Sequence, residues 1–172
     1  MRRLVIALAG IAALLGAGCS GPTEIATVRR ETGAPGDPLT LTRLRSEPYS
    51  FSYYSGMKDP AQVVVRTPAE WAQVWSAVWG GSSPVPPLPQ VDFERETVVA
   101  AALGMRATGG FSIYVESAHQ RDGYVEVVVH TVSPGSQCVT TQAVTYPVDL
   151  ARISTAGQPV QFRERSSVHD CG

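Results

Sequence analysis

Residues 111–132 read FSIYVESAHQRDGYVEVVVHTV, and the fold is decided there. Phe111, Ile113 and Val115 alternate with Ser112, Tyr114 and Glu116, the period-two pattern of a strand with one face in a core. Asp122-Gly123 is a turn signal. From Tyr124 to Val132 the chain is β-prone again, with Val125, Val127 and Val129 on one face. Two such runs about a glycine turn make an antiparallel hairpin.

Working outward, Thr97 to Leu103 (TVVAAAL) is apolar on both faces, as a strand covered on both sides would be. Earlier strands are expected at Tyr49 to Tyr54, stopped by Ser55-Gly56, and at Gln62 to Arg66, built on Val63, Val64 and Val65. Ala143 to Ile153 and Val160 to Arg163 supply the last ones, and Pro147 implies an edge or a bulge. Between strands, Thr67-Pro68-Ala69-Glu70 places Thr at the N-cap, Pro at N1 and Glu at N3 of a helix. Trp71, Val74, Trp75 and Val78 follow at three- and four-residue spacing, giving it one apolar face. Gly80-Gly81 must end it, and the proline-rich Ser82 to Gln90 is a surface loop. The expected class is α+β: a domain at residues 47–172, mainly antiparallel β-sheet, with one short amphipathic helix near its N-terminal end. No internal repeat is visible.

The other end of the chain speaks about location. Met1-Arg2-Arg3 precedes an uncharged, mostly apolar run from Leu4 to Gly18, the pattern of an export signal. That run of about fifteen residues falls short of the roughly twenty that span a bilayer. Leu15-Gly16-Ala17-Gly18 before Cys19 resembles the lipobox of bacterial lipoproteins, in which the cysteine is lipidated and becomes the mature N-terminus. Gly16 stands where that pattern usually has Leu. The rival reading is an ordinary secretory signal, with Cys19 a free or paired thiol. On the lipoprotein reading, residues 1–18 are the signal peptide and Cys19 carries the lipid. Residues 19–46 are then a flexible tether with a reach of roughly 30 Å, since Ala34-Pro35-Gly36-Asp37-Pro38 breaks regular structure. The folded part then works in the bacterial cell envelope, held to a membrane and facing periplasm or exterior.

The formal net charge of −1 includes Arg2 and Arg3, so the part after the signal is more acidic still. That gives no electrostatic footprint for nucleic acid, whose binding needs clustered Lys and Arg. With Cys19 lipidated, Cys138 and Cys171 remain as an even pair in an oxidising compartment, and a disulfide is the default. It would pin the polar tail from Arg163 to Gly172. The rival, a catalytic or metal-binding cysteine, has no CxxC and no neighbouring His behind it.

Ser55-Gly56-Met57-Lys58 matches the S-x-x-K nucleophile motif. That chemistry needs Ser and Lys one turn apart on a helix, and Gly56 with Asp59-Pro60 favours a polar turn instead. His119, His130 and His169 lack metal-ligand spacing. Asp92, Glu94 and Glu96 read either as a carboxylate cluster or as a solvated lead into a strand, the second being the better fit. No catalytic set, metal site or cofactor motif emerges. One loop stands apart: Gly104-Met105-Arg106-Ala107-Thr108-Gly109-Gly110-Phe111. Its paired glycines allow φ > 0 and close backbone approach, and loops fixed by a sheet concentrate binding residues. Arg106, Thr108, Gly109, Gly110 and Phe111 are therefore candidate partner-binding residues. The equal alternative is a tight connection whose glycines serve geometry alone.

Val64-Val65-Arg66-Thr67, Glu70-Trp71, Trp75, Val91-Asp92-Phe93 and Val98-Val99 resemble, in order, the C-terminal domain of the PrcB family. Gly104, Thr108-Gly109-Gly110-Phe111-Ser112-Ile113, Ser133-Pro134-Gly135, Cys138, Gln142 and Pro147 continue the series, over roughly residues 60 to 155. The family is named for a lipoprotein subunit that accompanies a secreted surface protease. The resemblance implies a non-catalytic partner protein that stabilises a complex. The leading expectation is thus a binding subunit for another exported protein, a protease among the candidates, meeting it through the Arg106–Phe111 loop and the Ser133–Gln137 turn. The alternatives are a cell-envelope hydrolase or small-ligand-binding protein, which would need a deep polar pocket, and a purely structural envelope protein.

Overall fold

The computed structural model describes residues 36–44, 53–80 and 83–172. In chain order these hold β1 (Asp37–Pro38), β2 (Leu41–Arg43), β3 (Pro60–Val65), α1 (Pro68–Val78), β4 (Thr97–Leu103), β5 (Ser112–Gln120), β6 (Val125–Pro134), β7 (Val148–Ile153) and β8 (Val160–His169). The expected signal (1–18), the lipidation site Cys19, most of the 19–46 tether and the first residues of the Tyr49–Tyr54 strand lie outside the described residues.

Two four-stranded sheets result, ordered β1-β5-β6-β8 and β2-β7-β4-β3. Each strand pair is antiparallel except β6 with β8. The β5–β6 hairpin follows the alternation: Ile113 and Val115 face inward with Val125, Val127 and Val129. A bulge between Val115 and Ser117 then shifts the phase, so the next inward position falls to Ala118.

β4 is the middle of three layers, and its sequence shows why. Val99 and Ala101 point into the core between the sheets, with Ala151 and Ile153 of β7. Val98, Ala100 and Ala102 point the other way, onto Trp71, Trp75 and Val78 of α1 together with Val148 and Leu150. Small alanines here let a helix carrying large indoles lie close to the sheet. The helix begins as its sequence dictates. Thr67 accepts from the Glu70 N–H at 3.2 Å, and the Glu70 carboxylate accepts from the Thr67 N–H at 3.1 Å and the Arg66 N–H at 2.8 Å. The hydrogen bond from Arg66, with Thr67 adding to it, holds the Glu70 carboxyl below its usual range. The Trp71 and Trp75 indole N–H groups donate to the carbonyls of Pro89 and Pro86, each at 2.9 Å. The proline-rich loop thereby satisfies two buried donors that the sheet has no acceptors for.

Three expectations need correction. Asp37–Pro38 and Leu41–Arg43 fall inside the stretch read as tether, yet they pair with β5 and β7. The proline and glycine cluster ends before Leu39 and Leu41, which anchor this segment by packing on the inter-sheet core. α1 thus follows the short strands β1, β2 and β3 and precedes the other five. β7 starts only at Val148, because Pro147 breaks the Ala143–Ile153 run. β8 runs on to His169 rather than stopping at Arg163, and it lies parallel to β6.

A polar cluster around a buried carboxylate joins the sheets. Asp149 of β7, only 2 % exposed, accepts from the Val115 N–H at 2.9 Å and from Arg43 Nε at 3.2 Å. Arg43 Nη2 donates to the Val115 carbonyl at 2.9 Å. Val115 lies on the edge of β5 beyond the reach of β1, and both its backbone groups are satisfied this way, as burial requires.

Candidate functional site

The Gly104–Phe111 loop and the Ser133–Gln137 turn, separate in sequence, meet in the structure. Arg106 and Thr145 exchange backbone hydrogen bonds of 2.8 and 2.9 Å, and the Gly109 N–H donates to Thr141 at 2.9 Å. The buried Thr145 hydroxyl donates to the Thr108 carbonyl at 3.1 Å. Gly110 has φ +86°, and a Cβ there would stand 3.0 Å from both Pro134 Cβ and Thr140 Cγ2. Gly104, at φ +71°, lies against Pro60 so closely that a Cβ would be 2.7 Å from its nitrogen. Both glycines are thus demanded by packing as well as by backbone sign. The Arg106 guanidinium stands 5.7 Å from the Phe111 ring centroid, a cation–π contact within the loop itself.

The loop is held rigidly, and this changes which atoms a partner meets. Gly109 is buried; Arg106, Thr108 and Phe111 are half-buried; Gly110 is exposed. The large apolar side chains that reach solvent are their neighbours: Met105 at 58 %, Val144 at 47 %, Tyr54 at 63 % and the fully exposed Val139. Backbone ties connect their segments. Met105 donates to Lys58 at 2.9 Å, Tyr146 donates to Tyr53 at 2.6 Å, and Val144 adjoins the Thr145 bridge to Arg106. Sequence reasoning missed these residues because a lone Met or Val in a polar loop carries no signal. Only their convergence on three braced segments does.

The turn is braced from behind. The Gly135 N–H donates to His169 at 2.8 Å, and the Cys138 N–H donates to Gly135 at 3.0 Å. Cys138 and Cys171 form the expected disulfide, with Cα atoms 5.0 Å apart.

The other chemical candidates are structural where they are described. Ser55 is buried, and its hydroxyl donates to the Tyr146 carbonyl at 2.9 Å while accepting from the Met57 N–H at 3.2 Å. This is the polar turn that Gly56 suggests, not a helix start. The Glu94 N–H donates to Asp92, and the Asp92 N–H to Glu96, so this trio shapes the turn into β4. Among the described residues no three metal-ligating side chains gather. One convergence the sequence hid lies on the outer face of the first sheet. His130 Nε2 is 2.8 Å from Ser167 Oγ, and its Nδ1 is 3.0 Å from the Tyr114 hydroxyl and 3.6 Å from Glu116. Arg165 holds the same Glu116 at 3.3 Å. Nearby, Arg121 donates to Glu126 at 2.6 Å and keeps that carboxyl below its usual range.

Residues 97–154 match the family model described as PrcB C-terminal. No curated protein and no solved structure matches the chain. The matched segment runs from the start of β4 to just past the end of β7, and it contains the Gly104–Phe111 loop, the Ser133–Gln137 turn and Cys138. Over residues 97–154, the chain is thus similar to the PrcB C-terminal family.

Proposed function

We propose that this protein is a lipid-anchored, non-catalytic subunit that binds and stabilises another exported protein, with a protease as the partner class that the family name suggests. The observation that carries the reading is the braced loop end. Tyr54, Met105, Val139 and Val144 present apolar side chains from segments already fixed by backbone pairing. Exposed apolar groups on a preorganised scaffold favour association, because little ordering entropy remains to be lost. The anchor supports the same picture. Acylation at Cys19 with a short stretch before β1 keeps the domain near a membrane where exported proteins pass.

Crosslinking in intact cells, with mass spectrometry of what is captured, tests the partner. A Met105→Asp, Val144→Asp double variant is expected to lose at least tenfold of the capture with the fold intact. Undiminished capture overturns the site, and a Cys19→Ser chain that still fractionates with membranes overturns the anchor.

The hydrolase reading is favoured by one observation, the Ser167–His130–Glu116 connectivity. Strand geometry weighs against it. The Ser167 N–H belongs to the ladder with β6, so it is not free to stabilise an oxyanion, and Tyr114 competes for the inner imidazole nitrogen. Esterase activity above background that Ser167→Ala abolishes would restore it.

A further inference from the structure

Sheet edges in this protein are treated unequally. At one side of the first sheet, β1 covers the end of β5, and Asp149 with Arg43 takes both backbone groups of Val115. At the other side β8 ends the sheet uncovered, with residues 163–169 exposed. The hydrogen-bonding parity of this edge follows from two contacts. The Val125 N–H donates to the Pro159 carbonyl and the Gly135 N–H to the His169 carbonyl, each at 2.8 Å. Odd-numbered residues of β8 therefore face β6. The N–H and C=O groups of Phe162, Glu164, Ser166 and Val168 point away from the sheet, and no hydrogen bond to them occurs among the described residues.

The two faces flanking this edge differ in chemistry. On the outer face, Arg163, Arg165, His119 and Arg121 line a depression of about 330 Å³ with Ser117 and Glu126. The Arg163 side chain makes neither ion pair nor hydrogen bond among the described residues, though its charge acts on Glu126, and Arg165 is 57 % exposed. On the inner face, β8 and β3 border a cleft of about 410 Å³ whose walls include Leu103, Ile113 and Val129. The hydrogen bond from Gln62 to Glu164, 2.6 Å and exposed, crosses its mouth. A strand added to β8 alternates its side chains between these two environments.

We propose that β8 is a docking edge for an extended segment of a partner protein in which acidic and apolar residues alternate. Acidic side chains meet Arg163 and Arg165 while apolar ones turn towards the cleft, and the four outward backbone positions supply the ladder. Charge disfavours a second copy in the two registers centred on the charged residues. A two-fold centred on Arg165 sets that residue against itself, and one centred on Glu164 opposes Glu to Glu and Arg163 to Arg165. The edge is distinct from the Met105 surface, so the two proposals fail separately.

The test uses the oxidised chain and a fluorescent peptide of about nine residues, the length of the edge, alternating Val and Glu, read by anisotropy. Binding is expected, with at least a tenfold preference over a Val–Lys twin. Arg163→Glu with Arg165→Glu reverses that preference. Two N-methylated peptides decide the mode without altering the protein. In antiparallel docking the Val nitrogens face β8, so methylating them costs at least tenfold while methylating the Glu nitrogens does not; parallel docking inverts the pattern. Equal binding of both methylated peptides, or of the acidic and basic twins, overturns the proposal. Self-association through β8 would give the edge to a second copy, and capture by anionic-lipid vesicles without peptide binding would give the arginines to a membrane; either result also overturns it.

Discussion

Replacing both Cys138 and Cys171 with Ser removes a crosslink that closes a separation of 33 residues. The chain-entropy relation puts the loss at about 3.7 kcal/mol for a loop of this size. The structure says where that loss will show. Beyond Arg163 the tail has no buried side chain, so its order depends on the ladder with β6, the Gly135–His169 hydrogen bond and the disulfide. If the end of β8 frays once the bridge is gone, the folded state regains freedom too, and the global loss falls below the chain-entropy figure. Urea unfolding followed by the fluorescence of Trp71 and Trp75, both packed against the proline-rich loop, reads the global term. With a slope of about 2 kcal/mol/M, the midpoint should drop by roughly 1 to 2 M. Amide exchange of Arg165, Ser167 and His169, whose N–H groups face β6, reads the local term. A midpoint shift under about 0.5 M with unchanged exchange at those amides would refute the reasoning, since neither state would then depend on the bridge.

Gly110→Ala places a Cβ at φ +86° against Pro134 and Thr140, and should destabilise by about 1 to 3 kcal/mol in a urea titration. Trp75→Phe keeps most of the apolar volume but leaves the Pro86 carbonyl without its donor; a loss of about 1 to 2 kcal/mol is expected by thermal melting. Glu126 and Glu70 have carboxyl pKa values lowered by Arg121 and by the helix cap. Their folded pKa lies below the unfolded one, so the stability they add is complete above about pH 4.3 and is lost as pH falls through the folded value. Urea midpoints at pH 7 and pH 3 should therefore differ less in Glu126→Gln than in the native chain.

Much of the architecture was legible because burial leaves a periodic mark. TVVAAAL reads as a strand covered on both faces, and the helix layer on one side and the second sheet on the other are what cover it. The cap at Thr67 and the hairpin at residues 111–132 were equally readable, since each rests on local geometry. β8 was cut short and β1 and β2 were overlooked for the converse reason. They are ordered by backbone pairing and by a few long-range contacts, and such contacts carry no period. Asp149 shows the same limit, because nothing near it in sequence announces the Val115 N–H and the Arg43 guanidinium that make a buried carboxylate tolerable. The loop glycines were found, but their neighbours Met105 and Val144 were not, since exposure is a property of the assembled loops.

The disulfide also links the two candidate surfaces. Cys138 follows the turn that packs on Gly110, and Cys171 lies two residues past the end of β8. One brace therefore immobilises the loop end and the open edge together. That resolves an apparent contradiction in the tail, where a strand with almost no buried area is nevertheless ordered. An edge kept in register by a covalent tie loses little entropy when another strand joins it, whereas a frayed one must first be ordered. The polar character of Arg163 to His169 then has a physical reason of its own: an exposed edge must stay soluble while unpartnered, and charge on its face provides that. An apolar β8 would have been easier to read in the sequence and harder to keep from pairing with the wrong chain.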